Sequence, residues 1–258
     1  MKNKTINRFI FLMGFLLCMY PLFSSIYDQH QQNKMISTYF TSVEQFSDED
    51  LTQQIDEARQ YNENLYRGYV VSDYEKIMCL TDNGMIAQIQ IPSINVSLPI
   101  YHGTSEDVLS VGVGHLPSSS FPVGGINTRA VLTGHRGMAS AKLFTRLDEL
   151  EINDYFYINV GKEVLAYKIM EIEVIEPEQL EKLSIVDNED LISLVTCTPY
   201  GINTHRLVIT GKRTPYSREA KTKTKHMSLR ESLFVLIPII LLILYFLKGK
   251  VYEKKNCT

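Results

Sequence analysis

From Met85 to Gly211 the chain consists of short apolar runs, rich in Ile, Val and Leu, that Gly and Pro interrupt. Runs of this length are typical of strands, and many strands at close spacing favour a barrel or a sandwich. We therefore predict a mainly β domain over residues 85–213, with one helical run near Ala139–Leu147. The predicted strands are Ile86–Ile91, Val96–Ile100, Arg129–Thr133, Tyr155–Val160, Val164–Met170, Ile172–Ile175, Leu191–Thr196 and Leu207–Gly211.

The N-terminal segment is apolar from Phe9 to Ile26 and follows several basic residues. A bilayer is spanned by about 20 apolar residues, and basic residues concentrate on its cytoplasmic side. We predict a cytoplasmic start and an uncleaved transmembrane segment over residues 1–26. A cleaved signal peptide is the alternative, although Ser24-Ser25 is a poor cleavage site.

A second apolar run, Leu233–Leu247, precedes a lysine-rich tail. We predict a transmembrane segment over residues 233–247, a cytoplasmic tail over 248–258, and a basic linker over 214–232. Both termini then lie in the cytoplasm, and the residues between the two spans lie outside it. The basic linker is interpreted first as a solvated segment, and contact with anionic membrane lipid or wall polymer is the alternative.

Residues 27–84 form a predicted helical extension that ends in a loop from Tyr66 to Thr81. A helix begins at Ser47 because acidic residues follow this capping serine, and apolar residues then recur at helical spacing. The formal net charge of −3, without interleaved basic and aromatic residues, does not indicate a nucleic-acid partner.

Three chemically reactive side chains occur at predicted strand ends. Cys197 ends the run Leu191–Thr196, and Pro199 prevents that strand from continuing. If the two runs pair antiparallel, Arg206 lies opposite Cys197, with the two Cβ atoms about 5 Å apart. His135 follows the end of the strand Arg129–Thr133.

A cysteine, a histidine and an arginine in these positions can act as a thiol nucleophile, its proton partner and a cationic stabiliser. Inert core packing is the ordinary alternative for Cys197, and a disulfide with Cys79 is a second one. His102, His115 and His205 show no metal-ligand spacing, so we predict no metal site and no cofactor.

These residues lie within motifs that resemble those of the sortases. Thr196-Cys197, with Arg206 nine positions later, resembles that family's cysteine signature, and Thr133–Gly137 resembles its histidine motif. Further runs resemble class C, the pilus-assembling sortases. They are Ile91-Pro92, Leu98–Gly103, Gly114–Pro117 and Leu143–Asp148.

The resemblance implies an eight-stranded β-barrel with short helices and a membrane-anchored cysteine transpeptidase of a Gram-positive bacterium. The implied substrates are pilin or surface proteins with an LPxTG-like sorting signal. The catalytic residues would be Cys197, His135 and Arg206, with Thr196 in substrate binding. A pilin lysine would be the acceptor and would form an isopeptide bond. The alternatives are a sortase that anchors surface proteins to cell-wall precursor and a catalytically silent pilus assembly scaffold.

Class C sortases typically carry a lid loop with an Asp-Pro-aromatic motif over the cysteine. This sequence contains no Asp-Pro dipeptide, and its nearest counterpart is Ser72-Asp73-Tyr74. Because proline restricts a loop before it closes, its absence weakens a closed state. We predict that a lid built on Asp73 and Tyr74 is absent or mostly open.

Overall fold

The structure is a computed structural model that describes residues 2–69, 73–137, 143–216, 236–243 and 245. The described residues divide into two compact units. One contains the residues up to Tyr27 together with 236–243 and 245, and the other contains the residues from Asp28 onward to Tyr216.

The first helix, α1 (Lys2–Gln45), is much longer than the predicted anchor. No Gly or Pro occurs between Tyr27 and Gln45, so nothing in the sequence stops the helix at the end of the apolar run. In the described part of the chain, this is the one helix long and apolar enough to cross a membrane. Its segment Phe9–Gln45 has a mean hydropathy of 2.0 in its most apolar window, and none of that window is buried.

The predicted second span, Leu233–Leu247, lies largely outside the described residues. Residues 236–243 and 245 are helical. The proposal of a transmembrane segment at this end therefore still rests on the sequence.

The second helix, α2 (Asp48–Tyr66), begins where the sequence predicts. The Ser47 side chain caps it by accepting a hydrogen bond from the Asp50 N–H at 3.1 Å, and three acidic residues occupy the first turn. One face of the helix is buried, and it includes Leu51, Ile55 and Ala58.

Eight strands close into a barrel, as predicted. In spatial order they run β1-β2-β3-β4-β7-β8-β6-β5, and β5 pairs with β1. A short helix, α3, lies between β2 and β3. The bounds are β1 Met85–Ile91, β2 Val96–His102, α3 Glu106–Val111, β3 Val113–His115, β4 Thr128–Thr133, β5 Tyr155–Val160, β6 Glu163–Ile175, β7 Asp190–Thr198 and β8 His205–Thr214.

The core is formed by the interior of the barrel and by parts of both long helices. Phe156 and Tyr167 stack inside it, with ring centroids 5.5 Å apart, and a Cβ at Gly211 would lie 2.4 Å from the Phe156 ring. Burial of each such large side chain contributes roughly 1.5–3 kcal/mol. On the outer side, the Tyr39 hydroxyl of α1 donates to the Ile86 carbonyl and accepts from the Gly161 N–H.

Several sequence predictions differ from the structure. The strands predicted over Val164–Met170 and Ile172–Ile175 form the single strand β6, whose register shifts between Ile169 and Glu171. The prediction of a helix near Ala139–Leu147 is wrong for the part of this range that the structure describes, residues 143–147. Residues 143–146 are turns and Leu147–Glu149 is a 3-10 turn, because Leu143 adopts a φ of 30°, which ends helical geometry.

Among the α-helices and strands of the second unit, β3 and α3 were not predicted. Both are too short to show a period of alternating apolar residues.

Candidate active site

The ends of three strands meet at one edge of the barrel. β4 and β7 are parallel neighbours, with Thr133 opposite Val195, and the Gly134 N–H donates to the Val195 carbonyl at 3.1 Å. His135 and Cys197 each lie two residues beyond this pair, so both lie at the same edge. β8 begins there because it runs antiparallel to β7.

Cys197 lies directly opposite Arg206 in the β7–β8 register, as the sequence predicts. Its side chain is half-buried and its thiol is free. Cys79 is also a free thiol, so the alternative disulfide between these two residues does not form.

The Arg206 guanidinium is held by its own loop. Its Nη1 donates to the carbonyls of Asn203 at 3.2 Å and His205 at 3.1 Å. A guanidinium is planar and always charged, so these bonds restrain a fixed cation at the start of β8, beside the strand end that carries Cys197.

Thr196 is 1% exposed, and its hydroxyl donates to the Gly134 carbonyl at 2.7 Å. Its side chain joins β7 to the turn that carries His135, and the substrate contact that the resemblance implies for Thr196 stays a prediction. Its backbone lies within the β7–β8 ladder, opposite Leu207.

His135 contacts an acidic residue that sequence reasoning did not identify. Its Nε2 lies 3.1 Å from Oε1 of Glu106, the first residue of α3. Glu106 is 80% exposed, so water screens the pair and the interaction is weak. No sequence signal pointed to Glu106, because α3 itself was not predicted.

Arg136, the next residue, is buried, with a side chain that is only 5% exposed. Its Nη2 donates to Oδ2 of Asp148 at 2.6 Å. Its Nη1 donates to the Thr198 hydroxyl at 2.9 Å and lies 3.5 Å from the Cys197 carbonyl. Asp148 is therefore the partner of a buried cation.

Glycine is required on both sides of this histidine–arginine pair. A Cβ at Gly134 would come within 2.9 Å of the Phe144 ring. Gly137 has a φ of +84°, and a Cβ there would come within 2.9 Å of the Tyr200 ring. The turn therefore packs closely against both neighbouring segments.

The candidate lid residues lie in a segment that precedes β1. Ser72 lies outside the described residues. Asp73 accepts a hydrogen bond from Lys76 Nζ at 2.6 Å. The Tyr74 hydroxyl lies 2.8 Å from Nδ1 of His115 and accepts from the Gly103 N–H at 3.0 Å, so the ring is anchored on β3.

Tyr74 belongs to a cluster of aromatic rings within the second unit. Its ring stacks on His115 and Phe121 and meets His102 edge-on. Burial lowers the pKa of His115 to about 4, and the nearby His102 adds to this shift. The other ring nitrogen of His115 donates to the Ser120 carbonyl at 2.8 Å, so the neutral Nε2–H tautomer satisfies both contacts.

Chemically, this edge combines a half-buried thiol, a fixed guanidinium and an imidazole on the adjoining strand end. Such a set suits acyl transfer through a thioester. Among the described residues, no cluster of three or more His, Cys, Asp or Glu side chains has the arrangement of a metal site.

Comparison with known proteins gives consistent results. Residues 89–214 match the family described as Sortase domain. Sortase D of Bacillus subtilis is 32% identical over 128 residues, which are 48% of this chain and 62% of that protein's length. The chain therefore spans less than two thirds of this curated relative.

Solved structures are similar over a larger part of the chain. Sortase C1 from Streptococcus agalactiae is 38% identical, with a TM-score of 0.69 over 71% of this chain and 100% of that one. Clostridium perfringens sortase C, solved with the C-terminal cell wall sorting motif, is 42% identical, with a TM-score of 0.67 over 71% of this chain and 99% of that one.

Proposed function

The chain belongs to the sortase family, and from this premise we propose that it is a membrane-anchored cysteine transpeptidase of the pilus-assembling class. It cleaves an LPxTG-like sorting signal and joins pilin subunits through a lysine isopeptide bond. The observation that carries the proposal is the register of β7 and β8, in which Cys197 is paired with Arg206.

The substrate assignment is supported by the similar structures. Both are sortases of class C, and the Clostridium perfringens protein was solved with a cell wall sorting motif. The motifs around Cys197 and His135 extend this similarity to the residues that carry the chemistry.

The first half-reaction is attack on the sorting signal. The Cys197 thiolate adds to the carbonyl carbon of the signal's threonine, and Arg206 stabilises the negative charge that develops on the oxygen. The C–N bond to glycine then breaks, and protonated His135 donates a proton to the leaving amine. The product is a thioester between Cys197 and the threonine.

The second half-reaction resolves the thioester. The amine of a pilin lysine adds to the same carbonyl carbon and loses a proton to His135. The C–S bond breaks, the thiolate of Cys197 is restored, and an isopeptide bond remains. One amide is broken and one is formed, so the reaction needs no external source of energy or electrons.

The apolar part of α1 supports a membrane anchor at the N-terminal end. We place the catalytic domain at residues 85–213, outside the cytoplasm, and both termini inside. This location brings the barrel to the cell surface, where surface proteins with sorting signals are displayed.

The test is incubation of the full-length protein with a candidate pilin that carries a sorting signal. We expect a ladder of pilin multimers that resists SDS, and no ladder with Cys197→Ala. A pilin variant without its acceptor lysine should be cleaved but not joined. If an amine that mimics a cell-wall precursor is joined to the signal while pilin lysines are not, the pilus-assembling assignment is wrong.

A further inference from the structure

Arg136 connects three segments that are distant in sequence. It follows His135 directly in the chain. Its Nη2 donates to Asp148, which lies in the 3-10 turn Leu147–Glu149, and its Nη1 donates to the Thr198 hydroxyl at the end of β7. The same Nη1 lies 3.5 Å from the carbonyl oxygen of Cys197. One guanidinium, on the residue that follows His135, thus contacts the side chains of Asp148 and Thr198 and approaches the backbone of Cys197.

The environment of Arg136 makes this connection stiff. The side chain is 5% exposed, and its positive charge is paired with Asp148, which is 30% exposed. A carboxylate that accepts a hydrogen bond from a guanidinium fixes the direction of the planar donor fork. Asp148 therefore restricts Arg136 to one orientation.

The other contacts of the turn do not duplicate this role. The Thr196–Gly134 hydrogen bond fixes the start of the turn, before His135. The Glu106–His135 contact is largely exposed, so it restrains the imidazole weakly. Of the contacts described here, those of Arg136 are the ones that link the residue after His135 to the end of β7 and the Cys197 carbonyl.

We propose that Arg136, oriented by Asp148, is a positioning residue that sets the placement of the His135 imidazole relative to the Cys197 thiol. It touches neither substrate nor the reacting atoms. The inference rests on the proposed function for the roles of Cys197 and His135. Misplacement by about 1 Å can lower turnover on the order of 10²-fold, so such a residue affects the rate of the chemical steps more than substrate binding.

The informative variant is Arg136→Lys in the full-length protein. Lysine keeps the charge but lacks a planar fork, so it cannot hold Asp148 and Thr198 together. We expect kcat for cleavage of a sorting-signal peptide to fall on the order of 10- to 100-fold while KM stays unchanged. In a Cys79→Ser background, the pH profile of Cys197 alkylation by iodoacetamide should move to higher pH. A misplaced His135 would stabilise the Cys197 thiolate less.

Arg146→Lys is the matched control. Arg146 is also buried and ion-paired, with Glu149 at 2.7 Å, and it donates to the Ile94 carbonyl at 3.0 Å. Arg146→Lys should lose about as much thermal stability as Arg136→Lys, and it should keep the wild-type kcat and alkylation profile.

If Arg136→Lys does not fold, Thr198→Val decides the question, because it removes the hydroxyl acceptor and leaves the buried ion pair intact. A lower kcat with an unchanged KM supports the proposal. A wild-type kcat and alkylation profile, in Arg136→Lys or in Thr198→Val, overturns it. The alkylation profile needs no substrate, so it tests the positioning role even if sorting signals prove not to be the substrate. Cleavage by Cys197→Ala would instead contradict the proposed function.

Discussion

Cys197 on β7 and Arg206 on β8 are directly opposed in an antiparallel register, at the barrel edge where β4 also ends. Opposed residues of this kind have Cβ atoms about 5 Å apart. Arg206 is thus the cross-strand neighbour of Cys197, and the carbonyls of Asn203 and His205 hold its guanidinium.

The first prediction concerns the geometry of Arg206. Arg206→Lys keeps the positive charge and loses the donor fork, so we expect kcat/KM for peptide cleavage to fall on the order of 10²-fold, as when an oxyanion donor is removed. Arg59→Lys, at an exposed position on α2, is the control and should have wild-type activity. Near-normal turnover by Arg206→Lys would leave Arg206 with only a general electrostatic role.

The second prediction concerns pH and His115. Its pKa of about 4 in the folded protein lies below the ordinary histidine value of 6.5, so between these two values the unfolded chain binds more protons than the folded one. Stability should therefore fall as the pH drops from about 6.5 to about 4, by up to about 3 kcal/mol.

Denaturant unfolding at pH 7 and pH 4.5 measures this effect. The wild type should lose more stability between these pH values than His115→Gln, which has no titrating group at this position. Carboxylates titrate in both proteins, so the difference isolates His115. Equal losses would show that His115 is not held in its neutral form.

The third prediction concerns the lid. The Tyr74 ring is anchored on His115 and Gly103, so Tyr74→Ala would disturb the barrel as well as any lid. Asp73→Ala is the cleaner variant, and Lys76→Ala removes one hydrogen-bond donor to Asp73 without changing the candidate lid residue. In a Cys79→Ser background, a bulky thiol reagent should modify Cys197 at the wild-type rate in both variants. A marked acceleration in Asp73→Ala alone would demonstrate a working lid.

The fourth prediction concerns topology. If both termini are cytoplasmic, an impermeant thiol label on intact cells should reach Cys79 and should not reach Cys257. Permeabilised cells provide the control, because there Cys257 should also react. Labelling of Cys257 in intact cells would contradict the proposed orientation.

The apolar runs, with Gly and Pro between them, were sufficient to predict a mainly β domain, and the resemblance to the sortases selected a barrel over a sandwich. The sequence also placed Cys197 opposite Arg206, since the two strands are adjacent in sequence and are connected by a short turn. The parallel neighbours β4 and β7 are far apart in sequence, and only the fold shows that His135 and Cys197 share an edge.

The contacts made by Arg136 and Asp148 could not be predicted in the same way. Charged residues in turns are usually solvated, and burial of Arg136 results from the packing of segments that no local pattern relates. Glu106 was missed because α3 is only one and a half turns long. Thr196 is identified by its motif, but its hydrogen bond to Gly134 depends on the parallel pairing of β4 with β7.

The assignment of Cys197 as the nucleophile is tested most directly by the intact mass of the protein after incubation with a sorting-signal peptide. We expect the wild type to gain the mass of the acyl fragment and hydroxylamine to remove this fragment. Cys79→Ser should behave in the same way. Cys197→Ala should remain at its own mass and leave the peptide uncleaved. An adduct on Cys197→Ala, or cleavage of the peptide by that variant, would contradict the assignment of Cys197 as the nucleophile.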